Sequence, residues 1–299
     1  MNQEESIRRA EIVASEGINT QQRSNLKIAG EKFLKHRLAV TSSIVLLVLG
    51  MLCYLAPLIA PYEFDAIDLS SIRNPPSGEH FLGTDALGRD LFTRLLYGGR
   101  ISITIGLTAA FLGATVGTLI GAVAGYYGGK IDNLLMRLTD LAYSIPTLPL
   151  IIVISAYLTT QAFGIVLIIG LFSWMSTARV VRGAILSVKE NEYVTAARAL
   201  GAKDRLIIFR HVLPNVINSI VVGATLGVGN AIIVESSLSF LGLGVSPPTP
   251  TWGNMLMDSQ STMASQPWLT IFPGMAILIT VLCVNFIGDG LQDALDPTL

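Results

Sequence analysis

The stretch that comes nearest to a nucleotide-binding motif is a glycine-rich run ending in a lysine. A phosphate-binding loop has glycine, four residues, glycine, lysine and then serine or threonine, because backbone amides cradle the phosphates and the hydroxyl holds magnesium. Here Gly125 stands one residue too close to Gly129 and Lys130, and Ile131 offers no hydroxyl. We therefore expect that this chain does not hydrolyse ATP and binds no cofactor of its own.

Glu235 is a lone carboxylate near the end of an apolar run. A charge in such a stretch is costly unless it faces protein or water, so Glu235 either bonds to nearby backbone and hydroxyl groups or serves a functional site. An enzyme would need a nucleophile with a base, or paired acids, which one glutamate does not supply. The histidines lack metal-ligand spacing, and both cysteines lie in apolar runs. Neither a metal site nor a disulfide is expected of His36, His80, His211, Cys53 and Cys283.

A polar segment between two apolar runs has the composition of a docking element. Residues 192–200 contain good helix formers, Gly201 is a natural helix stop, and residues 204–209 can form a second short helix. The adjacent Ala196 and Ala197 give a smooth surface that can enter a groove of another protein. The predicted unit is helix, turn, helix rather than a solvated loop. Its candidate docking residues are Glu192, Thr195, Ala196, Ala197, Arg198, Leu200, Gly201, Ala202, Asp204, Leu213 and Pro214.

The elements that position these residues are transmembrane helices. With 51% hydrophobic and 14% charged residues, the 299-residue chain belongs in a lipid bilayer. The formal net charge of -1 gives no indication of a nucleic-acid partner, and none is expected. An uncharged run of 38 residues, 141–178, is too long for one span and must fold back, with the turn expected at 159–161.

We predict an all-α integral membrane protein with six transmembrane helices. The first apolar run is too long for a cleavable signal peptide. The predicted segments are a cytoplasmic tail 1–37, spans 38–60, 101–126, 134–158, 162–178, 214–237 and 270–288, an external loop 61–100, a cytoplasmic coupling loop 179–213, an external loop 238–269 and a cytoplasmic C-terminus 289–299.

The distribution of lysine and arginine sets the expected orientation. If the N-terminus is inside, cytoplasmic segments hold sixteen of the 20 basic residues, and the other four lie in the 61–100 loop. Because basic residues are retained on the cytoplasmic side, both termini and the polar segment around Gly201 are predicted to be cytoplasmic.

Two further patterns concern helix packing. Glycine recurs every fourth residue at Gly113, Gly117, Gly121 and Gly125, which lets helix backbones approach closely. The expected role is tight packing within one bundle, the alternative being a subunit interface or a moving contact. Prolines 146 and 149 permit a kink in the third span.

The polar segment resembles the EAA loop of ABC importer permeases. That pattern has Glu-Ala-Ala, three residues, Gly, nine residues, Ile, any residue and Leu-Pro. The alanines at 196 and 197, Gly201 and the Leu-Pro at 213–214 fall on it, whereas Thr195 replaces the namesake glutamate and His211 the isoleucine. Any bond that this glutamate makes in the family is therefore in doubt here.

The resemblance covers about residues 30–299 and extends to motifs of permeases for dipeptides, oligopeptides and nickel, within which the chain is similar to the C type. Several motifs together are far more specific than one. They are FLGTDALGRD at 81–90, YGGRIS at 97–102, ESSLSFLGLG at 235–244, PPTPTWG at 247–253 and GDGLQDALDP at 288–297.

This resemblance implies a type I ABC importer permease that forms half of a translocation path. Its implied partners are a homologous B-type permease subunit, two ATPase subunits that carry the ATP and Mg, an extracellular solute-binding protein and the lipid bilayer of a bacterial or archaeal cell membrane. A secondary transporter, the main rival, would be expected to have internal repeats and charges within its spans, which here are nearly bare of charge.

Within this reading, several charged residues outside or at the outer end of the spans are open to two interpretations. Arg89 is expected to pair with Asp90, and the alternative for Asp85, Arg89 and Asp90 is contact with the binding protein. Glu235 is expected to be structural, with contact to the amino terminus of a peptide as the alternative. The substrate itself is not readable: dipeptides, longer peptides, nickel chelates and glutathione all fit.

Overall fold

The structure, a computed structural model, describes residues 25–157 and 161–295. All regular elements in these ranges are helical, apart from an isolated bridge between Thr84 and Asp90. The elements are α1 (Asn25–Lys35), α2 (Arg37–Tyr54), α3 (Ala56–Ile59), α4 (Leu91–Tyr127), α5 (Gly129–Ser144), α6 (Thr147–Tyr157), α7 (Ala162–Val188), α8 (Glu192–Ala199), α9 (Asp204–Ile207), a π-helical stretch (Ile208–Val212), α10 (Leu213–Phe240), α11 (Trp252–Ser259), a 3-10 turn (Gln260–Thr262) and α12 (Trp268–Leu295). Most of the predicted N-terminal tail, residues 159 and 160 of the expected turn and the last four residues of the chain lie outside the described ranges.

Five of the described helices are long and apolar enough to cross a membrane. They are α2, α4, α7, the continuous helix from Asp204 to Phe240, and α12. The pair α5 and α6 passes the same test only when taken together, which raises the number of spans to as many as six. The chain is thus an all-helical, multi-pass membrane protein.

The predicted third span, 134–158, is not one helix. The structure divides this region into α5 and α6, whose axes are bent by 79°. Ile145 between them is extended, with φ -89° and ψ 125°, as expected for a residue that precedes proline. Pro146 donates no backbone hydrogen bond, and Pro149 lies in the first turn of α6, where a missing N–H costs little. The prolines therefore produce a sharp break where we expected a kink.

Other helices extend beyond their predicted ends. The predictions stopped at charged residues, which lower hydropathy, but the helices continue through these residues. The helix predicted at 101–126 begins at Leu91, where the Asp90 carboxylate accepts a hydrogen bond from the Thr93 amide at 2.8 Å. The helix predicted to end at residue 178 continues to Val188. The predicted loops 61–100 and 179–213 are correspondingly shorter, and residues 179–188 belong to α7.

The bundle is organised around α4, which lies along α7 in the most extensive helix contact of the described chain. Helix α10 packs against α4, α7 and α12, and α12 packs against α2. At the end expected to face the cytoplasm, apolar side chains of α4, α7, α8, α9, the π-helical stretch and α10 form one buried group, here called the inner cluster. Its members are Ala122, Tyr126, Val181, Ile185, Val194, Ile207, Ile208, Val212 and Val216.

Candidate functional site

The polar segment after α7 folds as a helix, a turn and a helix. Helix α8 ends at Ala199, and Gly201 adopts the left-handed conformation with φ +80°. The Gly201 amide donates to the Arg198 carbonyl at 3.0 Å, and the Ala202 amide donates to the Ala197 carbonyl at 3.1 Å. These bonds satisfy carbonyls at the helix end, as left-handed glycine caps do. Helix α9 then starts at Asp204 and runs through the π-helical stretch into α10.

The segment is fixed to the ends of α4 and α7 by apolar and polar contacts. Val194 of α8 and Ile207 of α9 are fully buried in the inner cluster. The Tyr126 hydroxyl donates to an Asp204 carboxylate oxygen at 2.8 Å, and the Lys189 ammonium donates to the Gly125 carbonyl at 3.0 Å. The segment therefore moves with the ends of these two spans.

The two motif alanines do not share one free surface. Ala196 is exposed, but Ala197 is half-buried and packs against the inner cluster, because neighbouring residues of a helix point about 100° apart. In the isolated chain the surface of this alanine pair is therefore only partly exposed, and its docking role stays a prediction. By contrast, Leu200 is 88% exposed and Phe209 is 58% exposed.

The remaining docking candidates divide into two groups. Ala202 and Leu213 are half-buried against the inner cluster, whereas Glu192, Thr195, Arg198 and Pro214 are exposed. His211, which replaces the motif isoleucine, is half-buried in the π-helical stretch. Exposed Leu206 and Phe209 were not predicted; the only sequence signal for them is their position between the basic residues 203, 205 and 210. The docking role of the whole group stays a prediction.

The four glycines spaced every fourth residue all face α7. A Cβ at Gly113 would lie 2.7 Å from the Ser173 Cβ, and one at Gly121 would lie 2.5 Å from the Ala178 carbonyl oxygen. Added Cβ atoms at Gly117 and Gly125 would likewise meet α7. These distances are too short for any side chain, so the stripe packs two helices of the same chain, as expected, and is not free to form a subunit interface.

Two ion pairs tie α5 to α7. The Arg182 guanidinium bonds both carboxylate oxygens of Asp132, at 2.5 and 2.6 Å. The Arg179 guanidinium donates to Asp140 at 2.7 Å and lies 4.2 Å from the centre of the Tyr143 ring. The bent pair of helices is therefore attached to α7 on its polar side.

The charged residues of the outer loop pair differently from our expectation. Arg89 Nε lies 2.7 Å from Asp85 Oδ2, and its guanidinium also reaches Asp258 at 3.5 Å. Asp90 instead bonds the His80 ring at 2.9 Å and caps α4. The predicted Arg89–Asp90 pair is wrong, because Asp90 is turned towards the helix start. Burial raises the pKa of Asp258 above its usual range, with nearby cations opposing the shift.

Asp85, Arg89 and Asp90 are each less than a tenth exposed. Their charged atoms are engaged within the chain, so they form a structural network that closes the loop over the start of α4. The isolated chain leaves little of their surface for the alternative, contact with a binding protein.

Glu235 is completely buried and joins three helices. Its carboxylate accepts hydrogen bonds from the Ser102 hydroxyl of α4 at 3.0 Å and from the Ser239 hydroxyl of α10 at 2.7 Å. The Ser102 hydroxyl oxygen also accepts from the Trp252 amide at the start of α11, at 3.3 Å. This agrees with the expected bonding of Glu235 to hydroxyl groups and leaves no carboxylate surface for a peptide terminus.

No three histidine, cysteine or acidic residues come together as a metal site within 25–157 and 161–295. Long apolar helices, a broken helix pair and an anchored helix–turn–helix at one end define a polytopic helical membrane subunit. Residues 117–299 match the family model of the binding-protein-dependent transport system inner membrane component, and residues 24–76 match the N-terminal TM domain of oligopeptide transport permease C. The chain belongs to this family of binding-protein-dependent permeases, whose architecture is that of a type I ABC importer permease.

Named relatives agree with this placement. The chain is 42% identical to the glutathione transport system permease protein GsiD of Escherichia coli over 269 residues, which cover 90% of this chain and 89% of that protein. It is 39% identical to the oligopeptide transport system permease protein OppC of Bacillus subtilis over 285 residues, 95% of this chain and 93% of that protein. The GsiD protein of Pectobacterium atrosepticum is 41% identical over 269 residues, with 90% and 89% covered.

Proposed function

We propose that this chain is the C-type permease subunit of an ATP-driven importer that carries short peptides into the cell. The observation that carries this proposal is the helix–turn–helix around Gly201, which is anchored to two spans by the inner cluster and presents Leu200 and Phe209 outward. Similarity to OppC and GsiD supports a peptide substrate.

The proposed complex contains this chain, a homologous B-type permease subunit, two ATPase subunits and an external solute-binding protein. ATP and Mg bind to the ATPases, and this chain provides half of the path. The complex lies in the cytoplasmic membrane of a bacterial or archaeal cell, with both termini of this chain inside. The count of basic residues supports this orientation.

The coupling we propose is mechanical. Closure of the ATPase dimer on ATP moves α8 and α9, and the inner cluster passes that movement to the ends of α4 and α7. Val194 and Ile207 have no exposed surface, and Asp204 is hydrogen-bonded to Tyr126, so the short helices cannot shift without these spans. Nucleotide binding energy thereby biases the bundle between its inward-open and outward-open states.

Purification of the tagged chain from its native membrane tests this assembly. We expect a homologous permease and ATPase subunits to copurify, and vesicles containing the complex with its binding protein to take up trialanine only with ATP. A functional homo-oligomer of this chain alone, or uptake without ATP, would contradict the proposal.

Glutathione is the second candidate substrate, because relatives that are 41–42% identical are glutathione permeases. Uptake of labelled glutathione by the same vesicles, with trialanine as competitor, separates the two. Efficient glutathione uptake that excess trialanine does not reduce would favour glutathione as the substrate. Uptake of a nickel chelate, with no uptake of trialanine or glutathione, would rule out both candidates.

A further inference from the structure

A cavity of about 340 Å³ opens among α4, α6, α7 and α10, with Tyr143 at the end of α5 also lining it. It lies near the middle of these spanning helices, and its volume is at the lower end of the range for small-molecule sites. Small residues create the space, because α4 contributes Ala110 and Ala114 and α10 contributes Gly223, Ala224 and Gly227. None of the charged residues, nor the Gly201 segment, lines it.

One part of the cavity wall can form hydrogen bonds. Asn230 of α10 is exposed in the single chain, and its side-chain amide makes no hydrogen bond to any other described residue. Thr147 and Thr177 line the same space, and their hydroxyls are likewise unbonded within the described ranges. An unpaired amide costs about 2 kcal/mol or more in an apolar medium, so at mid-membrane depth Asn230 is expected to face water or a polar ligand.

Apart from Ser173 and Ser176, whose hydroxyls donate to backbone carbonyls of α7, the rest of the wall is apolar or aromatic. Ile151, Phe172, Met175 and Val234 contribute this surface. The Arg179 guanidinium covers one face of the lining Tyr143 ring and is already paired with Asp140. The cavity therefore combines neutral hydrogen-bonding groups with apolar surface and has no free charged anchor.

We infer that this cavity is a binding station for the peptide as it crosses the membrane, and that it recognises the peptide backbone. An asparagine amide both donates and accepts, as the peptide group does, and every peptide offers the same backbone N–H and C=O groups. The apolar wall accommodates side chains without selecting a charge. This inference rests on the proposed peptide import and adds the residues and the chemistry of one contact site.

Thiol labelling of the assembled complex tests the site independently of transport. Asn230→Cys and Ser176→Cys place thiols in the cavity, and Leu171→Cys is a matched control on α7, 53% exposed but outside the cavity. The native cysteines, Cys53 and Cys283, are buried. Because the thiolate is the reactive form and needs water, a charged thiosulfonate should label the two cavity positions at least about tenfold faster than the control.

Saturating trialanine should slow labelling of Ser176→Cys, which keeps the Asn230 side chain, whereas free alanine, which has no peptide bond, should not. Equal labelling of all three variants would overturn the assignment of an aqueous site. Labelling that trialanine does not slow would overturn the assignment of a peptide site. If trialanine slows labelling of the cavity thiol but the wild-type complex shows no ATP-dependent uptake, the proposed import is refuted and the binding site stands.

Uptake provides the second measurement. Asn230→Leu keeps the approximate size of the side chain and removes its hydrogen bonds, so trialanine uptake should fall about tenfold, the value of one net hydrogen bond. The control is Thr225→Val on the same helix, because the Thr225 hydroxyl bonds to the Val221 carbonyl and does not line the cavity. Unchanged uptake by Asn230→Leu in a complex that transports trialanine would contradict the inference.

Discussion

Replacing Gly201 by alanine should weaken the turn between α8 and α9 without creating a clash. A Cβ at Gly201 would meet nothing within 4 Å, so the cost comes only from the backbone angle φ +80°. An L-residue in this conformation costs about 1–2 kcal/mol. The population of the native turn relative to its alternatives should therefore fall about five- to thirtyfold.

Gly183 supplies a matched control, because a Cβ there also meets nothing within 4 Å, but the residue lies within α7 and has no positive φ. Gly183→Ala should leave the turn unchanged and stabilise α7 by up to about 1 kcal/mol. Gly201→Asn should retain more function than Gly201→Ala, since asparagine tolerates the left-handed region better.

The assay combines peptide uptake, ATPase stimulation by the loaded binding protein, and hydrogen exchange of residues 192–207 in the assembled complex. We expect Gly201→Ala, and more strongly Gly201→Val, to insert normally, to exchange faster in this segment and to lose stimulation. If Gly201→Ala matched Gly183→Ala in both exchange and stimulation, the reasoning that the turn couples the two proteins would be refuted.

Three further changes test other parts of the structure. Gly121→Leu should abolish recovery of folded protein, because its Cβ would lie 2.5 Å from the Ala178 carbonyl oxygen, whereas Gly50→Leu, with open space, should be recovered normally in size-exclusion chromatography. Burial raises the pKa of Asp258, so its ionised form lowers the stability of the fold, and this stability is regained as pH falls through the folded pKa towards 3.8. Thermal melts should therefore show the melting temperature of the wild type rising relative to that of Asp258→Asn as pH is lowered from neutral. A relative fall in the melting temperature of the wild type would contradict this sign. Glu235→Gln should lower thermal stability yet leave peptide preference unchanged, because the carboxylate is buried against hydroxyls; an altered preference in competition uptake would show contact with substrate.

The sequence predicts those parts of the fold that depend on a single local property, such as hydropathy or the conformation of one glycine. Hydropathy located the apolar helices, and Gly201 marked the end of α8 because few other residues adopt a left-handed turn. Spacing also placed all four glycines of the stripe on one side of α4. Helix ends were less accurate, since Arg94 and Arg182 lie inside helices, where their charges are stabilised by the distant residues Asp258 and Asp132.

The misread features depend on direction or on contacts between distant segments. Hydropathy carries no information about the direction of the chain, so residues 134–158 were predicted to form one span, although the chain bends by 79° after α5. The partner of Arg89 includes Asp258, which is distant in sequence, and the nearer Asp90 is engaged by His80. The mid-membrane cavity was not predicted, because its residues come from five helices and only Asn230 is unusual for its position.

The division of the Gly201 segment into buried and exposed residues separates two kinds of constraint. Side chains such as Val194 and Ile207 are held by the fold of this subunit, whereas Leu200 and Phe209 touch little of it. Changes at the exposed positions alter what the segment fits without disturbing the bundle. Under the proposed docking, a library confined to these surface positions is expected to change which ATPase the permease accepts while its membrane path stays as it is.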